Sequence, residues 1–290
     1  MELGCWHFKN GVRVIGVNDI PQRLTEVFQA STRTSDNAPM SSTPPKLPQV
    51  NVSEHGKVRY LHLGTVWVQG SMLLNKPNDI ELDYVQRMQA WVLFQDADEV
   101  EGMHAMQFGL GAAALTKNCH QVLKMRTTAI ELNPQVIAAC RTWFELAADD
   151  ERLNVVLGDA AEVAAHEHWQ GQVDVLHVDL YDDEAAAPVL DDPVFYSHCK
   201  NLLTSRGCML VNLFGRSSSF ERSLGHIRQA FDTETLWAFK PTREGNTVVL
   251  ALCTAQHPTE ELLQARAAEI QKRWRLPAPQ WLRLLQPTAS

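Results

Sequence analysis

Acidic side chains crowd the end of one predicted strand. The apolar run Val173–Val178 is followed by Asp179, Asp182, Asp183 and Glu184. Carboxylates this close repel one another unless a cation lies among them. That cation could be an alkylammonium or a metal ion, although no His or Asn stands where a metal co-ligand would be expected. A solvated acidic loop is favoured for Asp183 and Glu184, whereas Asp179 ends a buried strand directly and is a functional candidate.

A glycine-rich turn and a distant carboxylate form a second pattern. Gly109-Leu110-Gly111 follows a predicted strand and opens a predicted helix. Glycines there let backbone approach a ligand closely, although a tight packing turn is an equally ordinary use of them. Glu131 ends the next strand, where a carboxylate can accept hydrogen bonds from both hydroxyls of a ribose. The alternative for Glu131 is a capping acid before the helix at Pro134; we favour the ribose role.

The third strand ends in Gly158-Asp159-Ala160. An Asp in this place either caps the following helix or accepts a hydrogen bond from an adenine amino group. Capping is the safer interpretation of the motif alone. Beside the glycine turn and Glu131, at the same carboxyl edge of a sheet, nucleoside binding becomes the favoured one.

The elements that must position these residues alternate regularly along the chain. Strands are predicted at 104–108, 127–132, 153–157, 173–178 and 208–214, and helices at 111–120, 134–147, 160–168, 193–203 and 220–231. Such alternation predicts βαβ units and a parallel sheet with both faces covered. Strands at 234–239 and 246–252 are joined by a short loop, which forces antiparallel pairing. A Rossmann-like α/β sheet that ends in an antiparallel hairpin is the layout of the S-adenosylmethionine-dependent transferase fold.

Four regions are predicted. Residues 1–50 form a flexible segment, because 31–49 are rich in Ser, Thr and Pro. Residues 51–100 form a small β-rich region, with strands at 57–63 and 65–69 and a helix at 79–94 capped by Asp79. Residues 101–256 form the Rossmann-like nucleoside-binding catalytic domain. Residues 257–290 contain a helix at 258–274 and a tail.

Composition restricts the function classes. The 290 residues include 26 basic and 34 acidic side chains, a formal net charge of −8. A chain this acidic lacks the excess of basic side chains that binds nucleic-acid phosphates, and its charge favours a cationic ligand. The sequence has no run of eighteen apolar residues, so no membrane span is predicted. The first ten residues lack the apolar core of a signal peptide. Six cysteines without a C-x-x-C pair indicate reduced thiols, so we expect a cytoplasmic protein without a zinc site.

Taken together, these motifs resemble the spermidine synthase (aminopropyltransferase) family over residues 52–254. That family has a small N-terminal β-region, a glycine loop, an acidic ribose-binding strand end, a Gly-Asp-Ala turn, an Asp-x-x-Asp loop and a Phe-Tyr pair. The matching residues here are Gly109-Leu110-Gly111, Glu131, Gly158-Asp159-Ala160, Asp179 with Asp182, Leu190, Phe195-Tyr196 and Gly245–Val249.

The resemblance implies transfer of an aminopropyl group from decarboxylated S-adenosylmethionine to a diamine such as putrescine, a small cationic polyamine substrate. Asp179 is the expected base, since an alkylammonium with a pKa near ~10.4 must lose a proton before it can attack. Asp182, Tyr84 and Tyr181 are expected to bind the amine. The expected nucleoside contacts are Gln69, Gly109, Gly111, Glu131, Asp159 and Ala160. The chemistry requires no metal, and a homodimer is compatible with the resemblance.

Three departures from the family pattern bear on the substrate. Ala112 stands where the family's glycine loop carries an Asp that meets the cofactor amine. Asp183 replaces a Pro, and Tyr84-Val85-Gln86 replaces Tyr-His-Glu or Tyr-Gln-Glu. Two alternatives therefore stay open: a methyltransferase that uses intact S-adenosylmethionine through the same nucleoside residues, and a non-catalytic nucleoside-binding homologue.

Overall fold

A computed structural model describes residues 7–9, 12–15, 47–181, 189–214, 217–232 and 236–288. The strands are β1 His7–Lys9, β2 Val12–Ile15, β3 Val50–His55, β4 Val58–Leu63, β5 Gly70–Leu73, β6 His104–Phe108, β7 Arg126–Glu131, β8 Leu153–Leu157, β9 Val173–Val178, β10 Leu203–Phe214, β11 Trp237–Phe239, β12 Asn246–Leu252 and β13 Leu285–Pro287. The α-helices are α1 Asp83–Arg87, α2 Ala114–Lys117, α3 Pro134–Trp143, α4 Ala160–Ala165, α5 Pro193–Leu202, α6 Ser217–Phe231, α7 Glu260–Trp274 and α8 Ala278–Trp281.

The large sheet has eight strands in the order β13-β11-β12-β10-β9-β6-β7-β8. Strands β10, β9, β6, β7 and β8 pair in parallel, and β12, β11 and β13 continue the sheet in antiparallel pairs. Chain order reverses between β6 and β9, and crevices at such reversals are where open α/β sheets bind ligands. The predicted α/β fold with a terminal antiparallel hairpin is confirmed.

Register brings the predicted motifs to one edge of the sheet. Phe108, at the end of β6, pairs with Ile130 on β7 and with Val178 on β9. Val178 also pairs with Val211 on β10. The ends of β6, β7 and β9 therefore lie at the same edge of the sheet, beside the crevice.

The small sheet is antiparallel, with the order β1-β2-β3-β4-β5. Its buried residues Val52, Leu61 and Met72 share one core cluster with Ala112 of the glycine turn and Phe144 beside α3. This shared core fixes the small sheet against the half of the large sheet that contains β7 and β8, so that β5 borders the crevice.

Several predicted elements of the N-terminal region are wrong. Residues 65–69 form no strand; Val66 and Trp67 are 88% and 60% exposed, and pairing resumes only at β5. The helix predicted at 79–94 is split into α1 and a 3₁₀ turn, Ala90–Phe94, whose residues are all buried. Asp79 does not cap it, because α1 begins after Leu82.

The chain ends also differ from the prediction. Strands β1 and β2 lie within the stretch 1–50 that was expected to be flexible, and residues 16–46 lie outside the described part. The predicted C-terminal tail contains α8 and β13, and Trp281 and Leu285 are buried. Burial of these apolar side chains stabilises the segment of α8 and β13 against the sheet.

No helix in the described ranges is long and apolar enough to cross a membrane.

Candidate active site

A cleft of about 760 Å³ opens at the carboxyl edge of the parallel strands. The predicted residues Gln69, Tyr84, Gly109, Gly111, Glu131, Asp159, Ala160, Asp179 and Tyr181 all line it. They come from the residue before β5, from α1 and from the ends of four parallel strands. The structure thus brings together every predicted site residue that it describes; Asp182, Asp183 and Glu184 lie outside the described residues.

The glycine turn is shaped by close backbone contacts. Gly109 has a φ of +83°, and a Cβ there would lie 2.3 Å from the carbonyl oxygen of Asp179. Gly111 has a φ of +51°, and its Cβ would lie 3.1 Å from the carbonyl oxygen of Gln69. Both glycines are needed for packing, and that same packing leaves the turn open to the cleft. The helix after it, α2, begins at Ala114 rather than at the predicted Gly111.

Glu131 ties the glycine turn to the end of β7. Its Oε2 accepts a hydrogen bond from the Leu110 N–H at 2.9 Å, and its Oε1 accepts one from the Asn133 N–H at 2.8 Å. Burial raises the pKa of Glu131, and backbone N–H groups oppose the rise. Asn133 caps α3 by accepting from the Gln135 N–H, so capping does not account for Glu131. Glu131 lines the cleft, and a carboxylate has about four acceptor sites, so it keeps acceptor capacity beyond these two hydrogen bonds.

Asp159 does cap a helix. Its Oδ1 accepts a hydrogen bond from the Ala161 N–H at 2.7 Å at the start of α4. The capping alternative is therefore correct. It does not exclude a contact with a ligand, because a carboxylate has about four acceptor sites and Asp159 also lines the cleft. The adenine contact stays a prediction.

Asp179 lies on the inner wall of the cleft between two donors. The Tyr84 hydroxyl donates to its Oδ2 at 3.3 Å, and the Asn212 side-chain amide donates to its Oδ1 at 2.9 Å. Burial raises the pKa of Asp179 above 3.8, and the two hydrogen bonds lower it. A carboxylate with a raised pKa and fixed orientation is a competent proton acceptor.

Asn212 was not predicted from the sequence. It lies in β10 and is 3% exposed, and its Oδ1 accepts from the Asn246 amide at 3.2 Å. Its carbonyl oxygen accepts from the Tyr181 hydroxyl at 2.7 Å, so that hydroxyl is engaged with backbone while Tyr181 lines the cleft. The available signal was a lone amide near the end of the apolar run 208–214, next to the strand that ends at Asp179.

The charge of the described cleft lining has one sign. Its charged side chains are Glu81, Asp83, Glu131, Asp159, Asp179 and Glu244, and no Lys, Arg or His is among the described lining residues. Asp83 is paired with Arg87 at 2.6 Å, and Glu81 accepts from the Ser71 hydroxyl at 2.6 Å. Glu81 and Glu244 escaped sequence reasoning because they belong to no strand-end motif. Within the described residues, no group of three or more His, Cys, Asp or Glu side chains is arranged to hold a metal.

The parallel sheet, the glycine turn and the carboxylates at the strand ends define the class: a methyltransferase-like Rossmann fold. Comparison with known proteins agrees. A solved structure of human methyltransferase-like protein 13 in complex with SAH aligns with a TM-score of 0.60 at 20% identity, covering 67% of this chain and 93% of that one. A probable spermidine synthase from Corynebacterium glutamicum aligns with a TM-score of 0.65 at 19% identity, covering 87% and 91%.

Sequence comparison narrows the class to a family. The model of the spermine/spermidine synthase domain matches residues 116–262. A polyamine aminopropyltransferase of Neisseria meningitidis serogroup A is 33% identical over 205 residues, which cover 70% of this chain and 76% of the relative. The chain belongs to the spermine/spermidine synthase family and is a transferase, as the resemblance implied.

Proposed function

We propose that the protein transfers an aminopropyl group from decarboxylated S-adenosylmethionine to a diamine such as putrescine. The observation that carries the proposal is the charge of the cleft: six carboxylates and no basic side chain in its described lining. Both reactants are cationic, one a sulfonium with a primary amine and the other a dication at neutral pH. The negative charge of the cleft makes the binding free energy of both cations more favourable and disfavours the binding of anions.

Asp179 takes the proton in the proposed reaction. The attacking amine loses a proton to a carboxylate oxygen, and its lone pair then attacks the carbon beside the sulfonium. A C–N bond forms while the C–S bond breaks, and its electron pair neutralises the sulfur in the departing thioether nucleoside. Tyr84 and Asn212 hold Asp179 in place. A base held in a fixed orientation towards the attacking amine contributes to the rate enhancement, because less entropy is lost on reaching the transition state.

The nucleoside would lie over the glycine turn. Glu131 would accept from the ribose hydroxyls and Asp159 from the adenine amino group, with Gln69, Gly109, Gly111 and Ala160 around them. Tyr84, Tyr181 and Asp182 would bind the amine. Intact S-adenosylmethionine carries a carboxylate that would meet no positive side chain in the described lining, so the decarboxylated form is favoured.

One observation favours a second candidate. Ala112 is buried beside Asp179 and Tyr84 and offers no carboxylate to a cofactor amine. Methyl transfer from intact S-adenosylmethionine would need no such carboxylate, and the fold resembles that of human methyltransferase-like protein 13.

The cysteines bear on the location of the protein. The five cysteines of the described part are all unpaired thiols, which supports the expectation of a reducing, cytoplasmic environment.

The test is a product assay. The purified protein is incubated with putrescine and either decarboxylated or intact S-adenosylmethionine, and products are identified by mass spectrometry. Spermidine and methylthioadenosine should form in equal amounts from the decarboxylated form, and Asp179→Asn should abolish most of both. Methylated amine with intact S-adenosylmethionine would favour the methyltransferase, and no product with any polyamine would leave the binding-protein alternative.

A further inference from the structure

One buried histidine beside the site has no part in the proposed chemistry. His177 lies in β9, is 0% exposed, and precedes Asp179 by two positions. Side chains alternate along a strand, so His177 and Asp179 point to the same face of the sheet. The family resemblance assigned no role to this position.

The hydrogen bonds of His177 fix its tautomer. Its Nε2 lies 3.1 Å from the carbonyl oxygen of Met88, and its Nδ1 has no hydrogen-bond partner among the described residues. A carbonyl can only accept, so the proton is on Nε2. Burial lowers the pKa of His177 to about 4. The ring is therefore a neutral donor aimed at Met88 throughout the neutral pH range.

Met88 is the residue that ends the helix carrying Tyr84. Its backbone N–H donates to the Tyr84 carbonyl at 3.0 Å, which closes α1. A helix of five residues is not stable alone and takes its place from its tertiary contacts. The hydrogen bond from His177 to Met88 thus links the strand that ends at Asp179 to the helix that presents Tyr84.

The bond between Tyr84 and Asp179 is sensitive to the position of that helix. At 3.3 Å it is longer than the usual ~2.7–2.8 Å of an O–H···O bond, so a small further displacement would break it. Among the described residues, the other groups facing Asp179 are the Asn212 amide, whose Oδ1 accepts a hydrogen bond from Asn246, and the neutral phenol of Tyr181.

We propose that His177 is a positioning residue: through Met88 it holds Tyr84 against Asp179 and so sets how readily Asp179 accepts a proton. The catalytic meaning of this rests on the proposed function. The physical linkage does not, because it concerns groups of the protein alone. Loss of the donor should loosen the end of α1 at Met88, although Arg87 still donates to the Lys240 carbonyl at 2.6 Å. That displacement should weaken the hydrogen bond to the charged form of Asp179 and raise its pKa.

The test compares His177→Gln with His177→Leu. The Gln amide can take the place of Nε2 as a donor, whereas Leu removes it. Protein labelled with ¹³C at the Asp carboxyl carbons is titrated by NMR without substrate, and Asp179→Asn identifies the Asp179 resonance. His177→Leu should raise the pKa of Asp179 by about 0.5–1 pH unit, the equivalent of one hydrogen bond, and His177→Gln should leave it near wild type.

A double variant separates positioning from packing. Tyr84→Phe alone should raise the pKa of Asp179, and adding His177→Leu should then change it no further. Full additivity of the two shifts, or an unmoved pKa in His177→Leu with only a lower melting temperature, would overturn the proposal. His177→Met serves if the Leu variant does not fold. Since the titration needs no turnover, its outcome tests the linkage even if the wild type transfers no aminopropyl group.

Discussion

A carboxylate buried in the wall of a cleft is unfavourable in its charged form, and the residues around Asp179 only partly offset that cost. Tyr84 and Asn212 each donate one hydrogen bond, yet burial still raises the pKa above 3.8. A carboxylate held in this state reduces stability, which is the cost we expect if Asp179 is the proposed base. Activity and stability should therefore respond in opposite directions to its replacement.

Asp179→Asn tests this trade directly. Asn keeps the shape and accepts from Asn212, but it cannot take a proton. We expect turnover of the diamine to fall by about 10²–10⁴-fold, the usual contribution of a general base. Nucleoside binding, measured by calorimetry with methylthioadenosine, should persist. Unchanged turnover would remove Asp179 from the role of base.

The same variant should be more stable at neutral pH. Because the folded-state pKa is raised, wild-type stability falls as pH rises from 3.8 through that pKa and stays reduced above it. Asn lacks this dependence. We expect a gain of about 0.5–2 kcal/mol in the free energy of unfolding at pH 7, shrinking as the pH approaches 3.8. Melting curves over this range measure it, and a gain that did not vary with pH would contradict it.

Glu131→Ala should weaken nucleoside binding at least tenfold, since two hydrogen bonds to a charged acceptor are worth about 1.5–3 kcal/mol each. The melting temperature should also fall, because the Leu110 and Asn133 N–H groups would lose their acceptor. Calorimetry with methylthioadenosine and a melting curve should both show losses. An unaltered affinity would place the ribose elsewhere.

How far residues could be assigned from the sequence follows from where they lie. Glu131 ends a strand, Asp159 and Asp179 lie within two residues after one, and parallel strands bring such positions to one edge whatever else the fold does. Asn212 and Glu244 could not be found this way. Their proximity to Asp179 and the cleft depends on pairing across β10 and β12 and on the hairpin loop, which are long-range contacts.

At the scale of elements, patterns succeeded where burial was one-sided or complete along a strand. Strands 153–157, 173–178 and 246–252 have the predicted bounds. The strand predicted at 65–69 is wrong because its apolar residues Val66 and Trp67 are exposed. The strand that the structure forms instead, Gly70–Leu73, was not predicted because its sequence lacks a strong alternation of apolar and polar residues. The single helix predicted at 79–94 is wrong because residues 90–94 are all buried. A run that is apolar on every side has no helical periodicity from which its conformation could be predicted.

Gly70 shows why β5 begins where it does. A Cβ on Gly70 would lie 2.5 Å from the backbone nitrogen of Ala112, so only glycine lets β5 approach the glycine turn. Gly70→Ala should destabilise the fold by about 1–3 kcal/mol, as overpacking typically does, and should weaken nucleoside binding by displacing the turn. Denaturant unfolding and calorimetry measure the two effects.

Gly102→Ala is the matched control. Nothing lies within 4 Å of a Cβ at Gly102, which is outside the cleft, so its stability and nucleoside affinity should stay near wild type. Equal effects of the two substitutions would mean that loss of glycine flexibility, rather than the contact with Ala112, determines the outcome at position 70.

At the scale of the whole molecule, two sheets share one core and enclose a cleft whose charge has the same sign as the protein. The net charge is −8, and the described lining of the cleft contributes six carboxylates without a basic partner inside it. Such a field concentrates cations near the opening and is screened by salt over about 8–10 Å at moderate ionic strength. Capture of a dicationic amine should therefore depend on salt, whereas capture of a neutral nucleoside should not.

Ionic strength separates these two binding events. Raising salt from 20 to 300 mM (about a fourfold shorter screening length) should increase the KM for putrescine several-fold and leave the Kd of methylthioadenosine almost unchanged. Glu244→Gln, at the exposed rim of the cleft, should raise the KM at low salt and flatten its salt dependence, because it removes one of the attracting charges. Glu151→Gln removes a charge that is also exposed but lies outside the cleft, and it should change neither. If the two variants respond alike, net charge alone attracts the amine; if salt moves the Kd of the neutral nucleoside as strongly as the KM of the amine, the charge of the cleft does not select its substrate.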